Sequence, residues 1–268
     1  MNILKYPGAK WTIAKWIIEH FPENYESMTY CEPFFGSGSV FFNKRRSIVE
    51  TINDLDMDVV NLFKAARDNP DELIRKLELT PWSRSEYAEA YDRDGLDDIE
   101  RARRFIVKMW QGIGSKTADK TGWRNNIKGS NGNVARFHQS LLVDIKKVTD
   151  RLKHSSGNKT VQIENQNAFQ LIERYNRENV LMYIDPPYVM STRNNRIYKH
   201  EFDDSDHERL LDLLNESKAK IVLSGYDCEL YQEKLSHWKR YSIMSQTEFA
   251  KKKEEVIWLN YEPPFRLF

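Results

Sequence analysis

The chain has 268 residues, 40% of them apolar and 30% charged, with a formal net charge of +1. That length buries one substantial core and leaves room for an inserted subdomain, while the charge excludes a uniformly basic nucleic-acid coat but not a single basic face. No run reaches the roughly 18 apolar residues of a membrane span, and Cys31 and Cys228 with six scattered histidines form neither a disulfide framework nor a metal set. The N-terminus also lacks the hydrophobic core of a secretion signal, so the expectation is a cytoplasmic protein with no membrane segment and no metal.

Taken in chain order, short apolar runs alternate with helical patterns, which predicts an α/β layer fold. A helix over Trp11–His20 precedes a strand at Met28–Glu32, a helix at Ser39–Lys44 and a strand at Ile48–Asn53. From Met57 to Leu152 the rhythm breaks into helical segments with no buried strand. There Ser83 caps Arg84–Tyr91, and Asp97 opens an amphipathic helix through Ile99, Ala102, Phe105, Ile106, Met109 and Trp110. Between Gly112 and Arg136 the pattern dissolves into Gly, Ser, Asn, Lys and Arg, as in a long functional loop or hairpin. Strands and helices then alternate again: Thr160–Glu164, Ala168–Tyr175, Val180–Ile184, Asp206–Asn215, Lys220–Ser224 and Glu229–Leu235. The last two strands, Trp238–Ser245 and Glu254–Tyr261, have no helix between them, so a mixed seven-stranded sheet ending in an antiparallel hairpin is predicted. The corresponding division is a core of residues 1–56 and 153–268 with an inserted helical and hairpin-bearing subdomain at 57–152.

Two motifs sit where strands end. Glu32-Pro33-Phe34-Phe35-Gly36-Ser37-Gly38-Ser39 lies at a strand-to-helix turn, where glycines let the backbone approach a ligand. A dinucleotide-binding turn would carry Gly or Ala at position 41, whereas this chain has Phe41, which weakens an NAD reading. Asp54, at the end of the next strand, is placed to accept hydrogen bonds from ribose hydroxyls. The second motif, Asp185-Pro186-Pro187-Tyr188, follows the apolar run Val180–Ile184. Consecutive prolines stop the strand, and ligands bind outside the carboxyl ends of strands in such sheets. Adenine's amino nitrogen is a poor nucleophile because its lone pair is delocalised into the ring. The Asp185 carboxylate and the Pro186 carbonyl can accept its two hydrogens and favour a tetrahedral nitrogen, while Tyr188 offers an aromatic face to a flipped base.

Together these residues resemble the Dam-type DNA adenine-N6 methyltransferases, over essentially the whole chain. The resemblance implies a Rossmann-like methyltransferase fold with helices on both sheet faces, S-adenosylmethionine as cofactor and double-stranded DNA as partner. Lys5-Tyr6-Pro7-Gly8-Ala9-Lys10 is similar to the family's N-terminal cofactor segment, which implies that Tyr6, Gly8 and Lys10 help hold the cofactor. Residues Glu32, Pro33, Phe34, Gly36 and Gly38 match its glycine loop, Asp54 its ribose acid, and Asp185–Tyr188 its catalytic tetrapeptide, with Asp185 also at the cofactor. Residues 57–152 correspond to its recognition domain. One departure concerns the acidic residue the family often carries near the cofactor adenine: here the chain reads Asn165-Gln166-Asn167-Ala168-Phe169, which leaves Asn167 as an alternative acceptor and Phe169 as either a ring partner or a core aromatic.

Lys116, Lys120, Arg124, Lys128 and Arg136 cluster in the long loop and are expected on DNA phosphates, with Arg193 and Arg196 in a segment over the active site. Lys44-Arg45-Arg46 is expected to complement a helix C-terminus, Lys251-Lys252-Lys253 to be a solvated turn, and His200 and His207 to lie on the surface. A cytosine-C5 enzyme would need a nucleophilic cysteine in a Pro-Cys context, which is absent. An RNA adenine methyltransferase and a catalytically silent DNA-binding homologue stay open, as does pairing with a restriction enzyme.

Overall fold

The computed structural model describes residues 1–114, 116–125, 132–153, 160–189, 196–246 and 252–264. Seven strands form one sheet in the order β3-β2-β1-β4-β5-β7-β6. They are β1 Thr29–Glu32, β2 Val49–Asn53, β3 Thr160–Glu164, β4 Val180–Ile184, β5 Lys220–Gly225, β6 Lys239–Gln246 and β7 Lys252–Leu259. The first five are parallel, and β7 runs antiparallel to both β5 and β6. The sheet is therefore the predicted mixed, Rossmann-like one.

Side-chain alternation builds a core on each face. Tyr30, Ile52, Leu181, Tyr183, Val222, Ile257 and Leu259 point to one side, where α1 (Ala14–Glu19) and the helices after β2 cover them. Their neighbours Cys31, Val180, Met182, Ile184, Ile221, Leu223, Val256 and Trp258 point to the other, against α8 (Ala168–Arg174), α9 (Asp204–Asn215) and α10 (Glu229–Lys234). A strand buried on both faces has to be apolar throughout, as the run Val180–Ile184 is.

Between β2 and β3 the chain makes α2 (Met57–Asp68), α3 (Pro70–Glu78), α4 (Arg84–Glu89), α5 (Asp98–Gln111), α6 (Gly132–His138) and α7 (Ser140–Leu152). Asp56, Ser83 and Asp97 cap α2, α4 and α5 with side-chain oxygens. The apolar stripes of these helices join the first core without a break. Among the described residues of the long loop, Gly112 and Trp123 form an isolated antiparallel bridge.

Three expectations fail. Ser39–Lys44 is not a regular helix: Phe42 N and Lys44 N bond back to Gly38 and Val40, but the turn goes no further. Lys44 does not complement a helix end, because its ammonium is buried against Glu50. His207 is not on the surface: it is fully buried with Nδ1 3.0 Å from the Tyr231 hydroxyl.

The last turn of α7 is fastened to β2 by charge. Arg151 Nη1 and Nη2 donate to Glu50 at 2.5 and 2.8 Å, and Lys44 donates to the same carboxylate. Burial pushes the Glu50 carboxyl up, but Arg151 and Lys44 outweigh it and hold it below its ordinary range. A depressed carboxylate stabilises the fold above its unfolded pKa, and that stability is lost as pH falls through the folded value. Replacing Arg151 with Met should cost about 3 kcal/mol, because Glu50 keeps a buried charge with one partner fewer. Urea unfolding at pH 7 and pH 4 measures this, and the deficit should shrink at the lower pH. A mutant as stable as wild type at pH 7 would show that the pair contributes nothing net.

Candidate active site

The chain runs outward from β1 through β2 to β3, then returns to the other side of β1 as β4, so the strand order reverses between β1 and β4. Loops leaving these two strands part there and open a crevice at their carboxyl ends. Both sequence motifs are those loops.

The loop after β1 is shaped by two glycines with left-handed backbones, Gly36 at φ +49° and Gly38 at φ +66°. A Cβ on Gly38 would lie 2.3 Å from Phe35 Cζ and 2.7 Å from the Phe42 ring, so this glycine serves packing beneath the loop. A Cβ on Gly36 would meet the Tyr6 ring at 2.8 Å. The end of β2 braces the loop. Asp54 Oδ2 accepts from Gly36 N and its Oδ1 from Asp56 N, both at 2.8 Å, and Asn53 Nδ2 donates to the Pro33 carbonyl at 2.9 Å.

The N-terminal segment closes the crevice from above. Lys10 N donates to Ser39 Oγ at 3.0 Å, and its ammonium donates to the Gly8 carbonyl at 2.7 Å and pairs with Asp185 at 3.1 Å. Gly8 (φ +73°) has no room for a side chain, because a Cβ would lie 2.5 Å from the Tyr198 hydroxyl, which donates to the Pro7 carbonyl at 3.3 Å.

What these elements enclose is a cavity of about 840 Å³, including its open mouth. Tyr6, Gly8, Glu32, Pro33, Phe34, Gly36, Asp54, Asn167, Asp185 and Pro187 line it, so most of the cofactor and catalytic residues singled out from sequence meet in one place. Three are carboxyl groups in a low-dielectric wall. Burial pushes Glu32 up to about 8 against the opposing Tyr30 hydroxyl, which donates at 2.7 Å. Burial likewise takes Asp54 up to about 7 against its amide donors. Asp185 is raised by burial first, with Lys10 pulling it down and Glu255 pushing it up. An acid-walled cavity of this kind favours a ligand with positive charge and hydroxyl or amino donors.

Several expected residues stand outside that lining. Lys10, Gly38 and Pro186 lie behind it. Phe169 is buried and stacks on Phe202 at 5.7 Å and 7°, and it is Phe202 that reaches the cavity. Asn167 Oδ1 accepts from Phe169 N at 2.9 Å and so caps α8. Tyr188 is 7% exposed, with its hydroxyl donating to Glu255 Oε2 at 2.9 Å and 3.1 Å from Ser224 Oγ. The Lys10 ammonium lies 4.5 Å from its ring centre.

The basic residues scatter, and Arg136, expected in the loop, lies in the last turn of α6. Lys120, Arg136 and Arg196 are exposed and Lys116 half-buried, while the Arg124 guanidinium turns back to the Gly112 carbonyl at 3.3 Å. Lys128 and Arg193 fall outside the described residues. Lys253 is half-buried, 3.3 Å from the Tyr226 ring centre, so this end of the lysine run is not solvated. Sequence reasoning passed over Tyr198 and Phe202 on the cavity wall and Glu255 behind it, while His200, expected on the surface, is exposed and also lines the cavity. Glu255 carries a readable signal: it shares the parity of Ile257 and Leu259 on β7, which puts a carboxylate on the core face of a strand.

A doubly wound sheet with an acid-walled cavity at its switch point and a proline-stopped Asp-Pro-Pro-Tyr strand end defines an α/β enzyme acting on a nucleotide-like ligand. Residues 6–251 match the profile of the D12 class N6 adenine-specific DNA methyltransferases. The chain belongs to that family, and is accordingly an enzyme that methylates adenine N6 in DNA. It is 28% identical over 284 residues to a protein named type II methyltransferase M1.LlaDCHI of Lactococcus lactis subsp. cremoris, covering 95% of each chain. Identity is 25% over 251 residues to the type II methyltransferase M.MjaIII of Methanocaldococcus jannaschii, covering 83% of each. A DNA adenine methylase of Serratia marcescens is 22% identical over 265 residues and 92% of each chain.

The two glycines of the loop should separate on mutation. Gly38→Ala forces a Cβ into two aromatic rings and a strained backbone, and is expected to destabilise by about 2 kcal/mol or more. Gly36→Ala presses on the Tyr6 ring alone, so it should unfold closer to wild type in a thermal melt. Equal melting temperatures for Gly38→Ala and wild type would contradict the packing role.

Proposed function

We propose that the cavity takes S-adenosylmethionine and that the Asp185-Pro186 corner receives the amino group of an adenine flipped out of double-stranded DNA. The observation that carries this reading is the Asp185 carboxylate on the cavity wall, at the end of β4 and paired with Lys10. The lining fits the cofactor chemically. Glu32, Asp54 and Asp185 suit a ligand with hydroxyl and amino donors, and a cationic group on it would favour their ionised forms. Asp54 would take the ribose hydroxyls, Leu55, Asn167 and Phe202 the adenine, with Phe169 backing Phe202, and Tyr6, Gly8, Pro33, Phe34 and Gly36 the sides of the sulfur-bearing chain. When bound, the cofactor supplies an electrophilic methyl group on a positively charged sulfur.

The chain's own task is to make a poor nucleophile competent. Asp185 and the Pro186 carbonyl accept one amino hydrogen each, which draws the nitrogen lone pair out of conjugation with the ring. Pro186 and Pro187 have no N–H groups to compete for those acceptors. The nitrogen sheds one proton as the new N–C bond forms, and the Asp185 carboxylate, raised by burial, is the base nearest to it. Tyr188 walls the site that the base enters. No covalent enzyme intermediate is needed, and Cys31 is buried with its thiol pushed up by burial.

Residues 57–152 carry DNA recognition in this reading, through Lys116, Lys120, Arg124, Lys128 and Arg136, with Arg193 and Arg196 as further phosphate contacts. The type II names of two relatives support a restriction-modification setting. No helix among the described residues is long and apolar enough to cross a membrane, and a DNA substrate supports a cytoplasmic site of action.

Asp185→Ala should still fold, with some loss of stability because the buried Lys10 loses its nearest carboxylate, and lose about two orders of magnitude in turnover, roughly 3 kcal/mol of transition-state stabilisation. Asp185→Asn keeps one acceptor and should fall between. Single-turnover methylation of duplex DNA reads both, and wild-type rates in Asp185→Ala would remove the residue from the reaction. Replacing Lys116, Lys120 and Arg124 together by Ala should weaken DNA binding with cofactor affinity intact. The slope of log affinity against log salt should drop by about 0.9 for each lost phosphate contact. An unchanged slope would leave these cations a solubilising role.

A further inference from the structure

Behind the proposed corner lies a carboxylate that none of the motifs includes. Glu255 is 8% exposed on β7, paired with Ile243 of β6, and the pairing of β7 with β5 begins one residue later, at Val256 opposite Gly225. It therefore sits just past the edge where the parallel strands stop. Its Oε2 accepts from the Tyr188 hydroxyl at 2.9 Å and lies 4.0 Å from the Lys10 ammonium. The Tyr226 hydroxyl also lies close to it, and the Tyr226 ring meets Tyr188 edge-on at 4.4 Å.

A phenol has one proton to donate. The Tyr188 hydroxyl is within reach of Asp185 as well as Glu255. If it turned to Asp185, it would occupy a lone pair that the target amino group needs. Lys10 faces a similar competition, since it pairs with Asp185 at 3.1 Å while Glu255 stands on its other side.

We infer that Glu255 is a positioning residue for methyl transfer: by taking the Tyr188 proton, it leaves the Asp185 lone pairs free for the target amino group. This rests on the reading of Asp185 given above. The charge on Glu255 also acts through space. Asp185 is faced by Lys10 from the N-terminal segment, Glu255 from β7, Tyr183 from β4, Glu32 from β1, its own neighbour Tyr188, and Tyr226 and Tyr231 from beyond β5. Lys253 faces Glu255 from its own strand. Of these, Glu255 raises the proton affinity of Asp185, so removing its charge should ease Asp185 ionisation and move the acid limb of turnover to lower pH.

The test compares Glu255→Ala and Glu255→Gln in the full-length enzyme, using duplex DNA and S-adenosylmethionine. Glu255→Ala should lower kcat by about 30-fold or more, while KM for DNA and the cofactor Kd stay within about threefold. Glu255→Gln keeps an acceptor for both phenols without the charge. It should recover about tenfold over Glu255→Ala and shift the acid limb of the kcat profile down by about half a pH unit or more. Should Glu255→Ala fail to fold, the Gln variant and its pH limb decide. A kcat within about threefold of wild type in Glu255→Ala, or equal losses in both variants with an unmoved limb, overturns the inference. Asp185→Asn run alongside separates the two readings. Full turnover there would count against Asp185 itself, whereas impaired Asp185→Asn beside normal Glu255 variants would count against Glu255 alone.

Discussion

One ammonium group is shared between two buried carboxylates at the open edge of the sheet, and much of the site depends on that arrangement. Lys10 is 3.1 Å from Asp185 and 4.0 Å from Glu255, and it is almost wholly buried itself. Ionised acids in such a place are costly unless a cation and hydrogen-bond donors compensate them. The fold supplies both from different parts of the chain: the cation from the N-terminal segment, the phenols from the loops after β4 and β5. Because the compensating groups are distant in sequence, the constellation exists only when the sheet is assembled. The N-terminal segment is further held by Ser39 Oγ and by the close approach of Gly8, where a Cβ would meet the Tyr198 hydroxyl.

How much of this could be read in advance follows from which signals are local. The run Val180–Ile184 and its two prolines mark a doubly buried strand that has to stop, and the strand ends where expected. Caps at Ser83, Asp97 and Asp56 are single-residue hydrogen bonds, and the first two were read directly from sequence. The helix predicted at Ser39–Lys44 failed for a tertiary reason. Phe35, Phe41, Phe42 and Phe63 cluster edge to face, with Gly38 in a left-handed backbone beneath them, and that packing holds a single turn where periodicity alone asked for more. Lys44 was misread because a basic triplet on a surface and a lone lysine answering a buried Glu50 look alike until Arg151 arrives from α7.

The aromatic residues show the same limit. Phe169 and Phe202 are equally plausible ring partners by type, yet their near-parallel stack puts Phe202 in front and Phe169 behind. No spacing rule distinguishes the two, because they come from α8 and from the segment before α9. Tyr188 carries a polar handle that the tetrapeptide does not advertise. Its acceptor, Glu255, stands 67 positions later, where parity on β7 was the available clue.

The long loop after α5 is less irregular than its composition implies, and its order ties it to the cavity. Gln111, fully buried, takes Ser83 N and Trp123 Nε1 on its side-chain oxygen at 3.2 and 3.1 Å, and its backbone carbonyl takes Arg124 N at 2.7 Å. Further along, Thr117 N and Ala118 N both donate to the Ile197 carbonyl, and Lys199 N donates to Thr117 Oγ1 at 3.0 Å. Lys199 also reaches back to Asp56 at 3.3 Å, at the cap of α2. Between these bonds stands Tyr198, whose hydroxyl closes on Pro7 above the cavity. The loop that carries the basic residues and the wall that closes the cavity are therefore one hydrogen-bonded unit. Moving either by more than a fraction of an ångström breaks several bonds at about 1 kcal/mol each. Cavity and loop were written as separate features of the sequence, but the fold makes them share a boundary, and Tyr198 is the residue that stands on both sides of it.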